Sequence, residues 1–138
     1  MYLKNRKQIK IRMRKSPIKG VGNDIIEIKR IRKTITRYGM HFYKKILTER
    51  ELTYCLNHID PAIPVAGRFS AKEAIAKAIG TGFGTFLSFR DIEILNNKMG
   101  RPYPKFSDSF NKTFNTPHIV LSISHCKEYA TTIAIISH

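Results

Sequence analysis

Glu73 and Lys77 stand four residues apart in the run GRFSAKEAIAKAIGTGFG, residues 67–84. At about 100° per residue they share one face of a helix, with Ala66 and Ser70 beside them, while Ile75 and Ile79 lie opposite, flanked by Ala71 and Ala78. Taken alone, the pair reads as a surface i,i+4 ion pair worth a few tenths of a kcal/mol. The run then breaks into Gly80-Thr81-Gly82-Phe83-Gly84. Gly80 suits a helix C-cap, and Gly-Thr-Gly suits a loop with positive φ. No Gly-Lys-Ser/Thr follows, so this is not a Walker A loop, and it does not join a strand to a helix as a dinucleotide fingerprint does.

Other residues elsewhere in the chain bear chemistry. Asp24 ends a glycine-bracketed segment, where its carboxylate either meets a metal or caps a helix. His125 follows Ser-Ile-Ser at a strand end, where a lone histidine is either functional or simply solvated. Gly100-Arg101-Pro102-Tyr103 forms a stiff basic turn.

The elements that must position these groups read as follows. Lys19 to Ile28 is apolar and β-branched, predicting a strand that runs up to or through Asp24. A basic helix follows from about Glu27 to Tyr38, then a short one near His41–Ile46. Thr48-Glu49-Arg50-Glu51 fits a capping box opening a helix to about Leu56. Asp60 to Pro64 reads as a proline-bracketed loop, and the helix of Glu73 spans Val65 to Ile79. Residues 91–96 alternate as a strand, with a turn at Asn97-Lys98-Met99-Gly100. Residues 118–124 and 130–136 predict an antiparallel hairpin across the connection 125–129. Helices gather in the first half and strands in the second, so the fold class is α+β, with helices packed on a small, mainly antiparallel sheet.

The chain has 138 residues, enough for one modest core. It is 42% hydrophobic and 25% charged, an ordinary composition for a globular protein. No apolar run reaches the roughly 18–20 residues that span a bilayer, and no apolar stretch follows the basic N-terminus, so neither a membrane protein nor a secretory signal is expected. Cys55 and Cys126 form no CxxC pair and read as free thiols of a reducing cytoplasm. The formal charge is +15. Lys4, Arg6, Lys7, Lys10, Arg12, Arg14 and Lys15, with no acid among residues 1–17, supply +7 of it and leave +8 for residues 18–138. Residues 1–17 therefore read as a flexible basic leader containing a second candidate start, Met13, and residues 18–138 as a single domain. A basic surface attracts polyanions, acidic proteins or phosphate-rich ligands. A small nucleic-acid-binding protein is the rival reading. Against it, the aromatics are scattered and there is no tryptophan.

In order, GVGNDIIEIKRI (20–31), GRFSAKEAIAKAIGTGFG (67–84), SFRDIEI (88–94), GRPY (100–103) and LSISHCKEYA (121–130) form one constellation. It resembles the holo-[acyl-carrier-protein] synthase family, the small bacterial type of 4′-phosphopantetheinyl transferase, from about Ile18 to the C-terminus. The resemblance implies that family's fold and its reaction, in which the 4′-phosphopantetheine arm of coenzyme A moves to a serine of apo acyl carrier protein. It implies Asp24 and Glu73 as Mg²⁺ ligands, in keeping with the ion's preference for one or two carboxylates completed by waters and phosphates. Lys77 matches the lysine that steadies the departing phosphate. Gly80 and Thr81 match the turn against the coenzyme A phosphates, Arg68 lies in the family's binding region, and His125 matches a histidine near coenzyme A that is sometimes proposed as the base. The serine proton has a second route, through Asp24 or a metal-bound water. The resemblance further implies a cytoplasmic homotrimer with coenzyme A at the subunit boundary. It also implies a basic helix that docks the acidic carrier protein, here bearing Arg30, Arg32, Lys33 and Arg37, of which Arg30 and Arg37 are the candidate contacts. Two features depart from the family pattern: Ala76 stands where a hydroxyl residue is common, and the leader has no counterpart in compact members.

Overall fold

The structure, a computed structural model, describes residues 15–138; most of the expected basic leader, residues 1–14, lies outside the described residues. The chain opens with β1 (Ile18–Glu27), α1 (Ile28–Tyr38), α2 (Met40–Ile46), α3 (Glu49–Leu56) and α4 (Ala62–Ile79). It continues with β2 (Ile92–Asn96), β3 (Pro102–Phe106), α5 (Asp108–Phe114), β4 (His118–His125) and β5 (Tyr129–Ser137). This is the expected α+β order. β1, β5 and β4 form an antiparallel sheet in that spatial order, and β2 pairs with β3 in a separate hairpin.

α4 is the axis of the molecule, and its surroundings correct the simple two-faced reading. Ala66 and Ser70, expected beside an open Glu73 face, are fully buried, as are Val65, Ala71, Ala74 and Ile75. A helix made of small and apolar residues on all sides is a buried helix. It opens to solvent only towards its C-terminal end, where Lys77 emerges. One core packs α4 against α1, α2 and α3 through Ile28, Ile31, Ile46, Leu52 and Val65. A second packs it against both sheets through Ile75, Ile92, Ile94, Leu121 and Ile136.

β1 lies unusually close to this helix. A Cβ on Gly22 would stand 2.0 Å from the Ala74 carbonyl oxygen, and one on Gly20 would stand 2.2 Å from that of Ala78. The two glycines let strand backbone rest directly on helix backbone. Asp24 follows on the same face of the strand and is thereby carried to the side of α4.

Several boundaries differ from expectation for identifiable reasons. α4 starts at Ala62, inside the stretch read as a loop, because Pro64 occupies the third helical position, where its missing N–H has no helical partner to lose. The Asp60 carboxylate accepts the Ala62 N–H and helps to start the helix. The capping box is present: Thr48 Oγ1 accepts from the Glu51 N–H, and Glu51 accepts from the Thr48 N–H. The hairpin is present with a shorter connection, residues 126–128, because the strands run on to His125 and back from Tyr129. α5 was not anticipated. Ser107 caps it, Phe110 stacks on Phe106 of β3, and Phe114 packs against Phe110 with the rings tilted at 53°. Both cysteines are free, and burial pushes the Cys55 thiol up to about 11.

Candidate functional site

Asp24 and Glu73 meet where β1 crosses α4. They line one cleft of about 500 Å³ together with Arg30, Thr34, Phe42 and Phe69. Asp24 Oδ1 accepts from Lys77 Nζ at 3.0 Å, and the same ammonium donates to the Asn23 carbonyl at 3.0 Å. Lys77 therefore reaches across to Asp24. Among the described residues it forms no ion pair with Glu73, so the i,i+4 pair expected from spacing alone is replaced by one between helix and strand. Asp24 Oδ2 is buried and has no hydrogen-bond partner. Glu73 is partly buried, and its carboxyl is held above the usual carboxylate range by desolvation and by the Asp24 charge, with Lys77 opposing.

That combination is chemically incomplete. One buried carboxylate oxygen lacks a donor, and a second carboxylate beside it resists ionisation. A small hard cation would satisfy both. Two carboxylates with room for waters and substrate oxygens suit Mg²⁺, and the described residues hold no group of three or more His, Cys, Asp or Glu that would suggest a metal with an all-protein ligand set.

Just beyond Lys77, α4 ends at Gly80, left-handed at φ 89°, whose N–H bonds to the Ala76 carbonyl. Gly80 is thus the C-cap that the sequence suggested. The same loop also leaves its backbone open: Thr81 is exposed, and no atom lies within 4 Å of where a Cβ on Gly80 or Gly82 would be. An exposed loop of this kind lets a phosphate approach main-chain N–H groups.

Arg68 and His125 belong to a different place. Arg68 lies five residues before Glu73, about 140° around the helix. His125 lies on β4, separated from β1 by β5, and so about 10 Å across the sheet from the Asp24 strand. The two residues line a cleft of about 740 Å³ with Tyr54, Asn96 and Gly100, on the far side of α4 from Glu73. Arg68 is only 5% exposed, yet among the described residues no carboxylate pairs with it. Its guanidinium lies over the Tyr54 ring at 4.0 Å and donates to Asn96 Oδ1, and its Nε has no partner. A buried arginine held by neutral groups retains an unanswered positive charge and favours an anion.

Arg30 is exposed and lines the Asp24–Glu73 cleft. Arg37 is two turns further along α1, also exposed, and lines the neighbouring cleft with Lys29, Lys33 and Lys127. α1 thus carries a basic stripe that begins at the carboxylate pair. One residue of the constellation escaped the reading of single side chains. Lys72, beside Glu73, is fully buried and bonded to Glu51, Ile46 and Phe89. A charged side chain in a run of alanines is the sequence signal, but nothing local identifies its partner.

The profile of the 4′-phosphopantetheinyl transferase superfamily matches residues 20–134. A holo-[acyl-carrier-protein] synthase of Protochlamydia amoebophila is 49% identical over 116 residues, covering 84% of this chain and 95% of that protein. One from Chlamydia muridarum is 46% identical over 118 residues, covering 84% and 92%. The crystal structure of the Neisseria meningitidis holo-[acyl-carrier-protein] synthase superposes with a TM-score of 0.82 at 32% identity, covering 88% of this chain and 99% of that one. The Helicobacter pylori enzyme in complex with coenzyme A superposes at 0.78 with 33% identity, covering 85% and 99%. With a profile match over residues 20–134 and relatives 49% and 46% identical over 95% and 92% of their own length, the chain belongs to the 4′-phosphopantetheinyl transferase superfamily.

Proposed function

We propose that Asp24 and Glu73 hold Mg²⁺ and that Lys77, Gly80 and Thr81 receive coenzyme A phosphates in the holo-[acyl-carrier-protein] synthase reaction. In that reaction the 4′-phosphopantetheine arm of coenzyme A passes to a serine of apo acyl carrier protein, a step of fatty acid biosynthesis. The serine oxygen bonds to the phosphorus that bears the arm, the bridging P–O bond breaks, and adenosine 3′,5′-bisphosphate leaves. The observation that carries the site assignment is the Asp24 carboxylate, buried at Oδ2 without a partner and set beside Glu73. When bound there, the metal supplies charge stabilisation to the phosphates. Lys77, whose side chain is 53% exposed, can swing from Asp24 to meet charge developing on the departing phosphate. Asp24, which lines this cleft, is one proposed acceptor of the serine proton, beside a metal-bound water.

Arg30 and Arg37 dock the acidic carrier protein along α1, which brings its serine to the mouth of the Asp24 cleft. Arg68 and His125 lie across α4 from that cleft, so they serve a second chain: we assign them to coenzyme A held at a subunit boundary in a homotrimer. The outer face of the sheet supports assembly, since Val21, Ile25 and Ile133 are 56%, 66% and 44% exposed. Residues 18–138 are the transferase domain, and residues 1–17 are given no role. No helix among the described residues is long and apolar enough to cross a membrane; a cytoplasmic location is proposed with the function. Neither the matching profile nor the relatives named above lend support to nucleic-acid binding.

The test is transfer itself. Incubated with coenzyme A, Mg²⁺ and apo carrier protein, the chain should add the mass of one phosphopantetheine to the carrier. Absence of transfer with every divalent metal tried would refute the function. The shared site is tested by co-expressing Glu73→Gln and Arg68→Gln chains. Each should be inactive alone, and random assortment should restore about a quarter of the sites. No recovery in verified mixed oligomers would show that one chain builds its own site.

A further inference from the structure

The Lys72–Glu51 pair has no part in the chemistry above, yet both side chains are completely buried. Lys72 Nζ donates to Glu51 Oε2 at 2.7 Å, to the Ile46 carbonyl at 2.6 Å and to the Phe89 carbonyl at 3.0 Å. Glu51 in turn accepts the Thr48 N–H at Oε2 and the Ile94 N–H at Oε1, each at 2.8 Å. Every proton of the ammonium is thus used, and both carboxylate oxygens are used. One ion pair ties the end of α2, the start of α3, the middle of α4, the turn before β2 and β2 itself to a single arrangement.

What lies beyond Phe89 gives the pair a function. The Phe89 ring stacks on Phe83 with centroids 3.8 Å apart and planes 9° apart, and it packs on Phe69 at 5.5 Å. Phe83 sits between Gly82 and Gly84 in the loop that closes α4, where both glycines have positive φ. Phe69 lines the Asp24–Glu73 cleft. Beside this stack, the loop is held by the Gly84 N–H donating to the Leu87 carbonyl and by packing of Phe83 on the core that contains Leu87. Phe89 is therefore the wedge between loop and cleft, and Lys72 grips its carbonyl from inside the core.

We propose that Lys72 and Glu51 are positioning residues, which fix the 80–84 loop relative to the Asp24–Glu73 pair through the Phe89–Phe83 stack. The proposal rests on the reading of that loop as the seat of coenzyme A phosphates. Lys72 touches neither substrate nor metal and transfers no proton. A phosphate-binding loop displaced by about 1 Å loses much of its value, so the effect falls on coenzyme A and spares the carrier protein.

Two variants test it in the full chain. The double variant Glu51→Leu with Lys72→Met replaces the ion pair by apolar side chains of similar size; it strands no charge, but it frees the Ile46 and Phe89 carbonyls and the Thr48 and Ile94 N–H groups. Phe89→Leu keeps the carbonyl and the ion pair but removes the stacking ring. Both should raise the KM for coenzyme A about tenfold and leave the carrier-protein KM within about twofold. Both should also speed hydrogen exchange at Gly84, while amides of β5 stay protected as in the unmodified chain. Wild-type coenzyme A KM and wild-type Gly84 exchange in a folded double variant would overturn the proposal. So would a double variant that loosens the loop while Phe89→Leu does not, since the path would then bypass the ring. Faster loop exchange with an unchanged coenzyme A KM would overturn the phosphate role of the loop and this proposal with it. Failure of the unmodified chain to transfer phosphopantetheine would instead refute the function and is read separately.

Discussion

Replacing Gly22 by alanine tests the contact that brings the carboxylate pair together. The new Cβ would fall 2.0 Å from the Ala74 carbonyl oxygen and 2.5 Å from the Ala78 nitrogen. Ordinary contact begins near 3.4 Å, so the shortfall is 1.4 Å against the oxygen. Both obstacles are helix backbone, and no rotamer change can relieve them. β1 must withdraw from α4 by roughly 1 Å, and forced overpacking of this kind costs about 1–3 kcal/mol. At about 4 °C per kcal/mol for a chain of this size, the upper end lowers Tm by about 12 °C. The damage to function should exceed the damage to stability. Asp24 lies two residues further along the displaced strand and is bonded to Lys77, so the same withdrawal pulls it from Glu73 and Lys77 together. A misplacement of about 1 Å among reacting groups is worth up to about 100-fold in rate. Thermal denaturation and the transfer rate at saturating coenzyme A and carrier protein measure the two effects. Gly67→Ala is the stability control: its Cβ would meet only Ile123 Cγ2 at 3.5 Å, and alanine gains about 0.5–1 kcal/mol over glycine inside a helix. A Gly22→Ala chain that melts within 2 °C or so of the unmodified one would refute the packing argument. One that is less stable but transfers at the normal rate would show that the close approach does not set the site.

Glu73→Gln should abolish Mg²⁺-dependent transfer and, without metal, stabilise the fold at neutral pH. Because the folded-state pKa of Glu73 lies above its ordinary 4.5, ionising it costs stability as pH rises through that interval, and the gain from glutamine should fade below about pH 4.5 when Tm is followed against pH in chelator. For the same reason, Mg²⁺ affinity of the unmodified chain should fall as Glu73 takes up its proton, which calorimetry at two pH values would show. Arg30→Glu should raise the carrier-protein KM by about tenfold or more, chiefly at low salt, with the coenzyme A KM nearly unchanged; equal effects on both substrates would remove Arg30 from docking. Lys72→Met alone strands the Glu51 carboxylate in the core and should cost about 3–5 kcal/mol in urea unfolding, far more than the double variant.

How much of this was legible follows from the range over which each signal acts. The capping box at Thr48 and the glycine cap at Gly80 are contacts within four residues, and both were read correctly. Asp24 and Glu73 are 49 positions apart, and only the ordered blocks of a family resemblance could join them. Periodicity misled where burial overrode it. Ala66 and Ser70 share a side with Glu73, but small residues also let β1 and β5 close over that side, and no helical wheel shows which outcome wins. Pro64 looked like a loop residue because proline ends helices from within, whereas at the third position it costs nothing. α5 was missed although Ser107 is a capping residue and Phe110 and Phe114 are spaced as one helix face. Lys72 could not have been paired from sequence, because its partner is fixed by how α3 docks on α4 and by nothing local.

The position of α4 explains why the site residues divide. An α-helix with its side chains is about 10–12 Å across, and this one is buried along most of its length. Asp24 and Glu73 stand on one side of it, Arg68 and His125 on the other. No rotamer of Arg68 can cross a packed helix, and its guanidinium is already held over Tyr54. Moving α4 aside would break the glycine contacts that create the carboxylate pair in the first place. The two clusters therefore cannot merge within one chain. If both act on one coenzyme A, a second chain must present its Arg68 face to the first chain's Asp24 cleft. On the proposed function, the helix that makes one half of the site places the other half in a second chain.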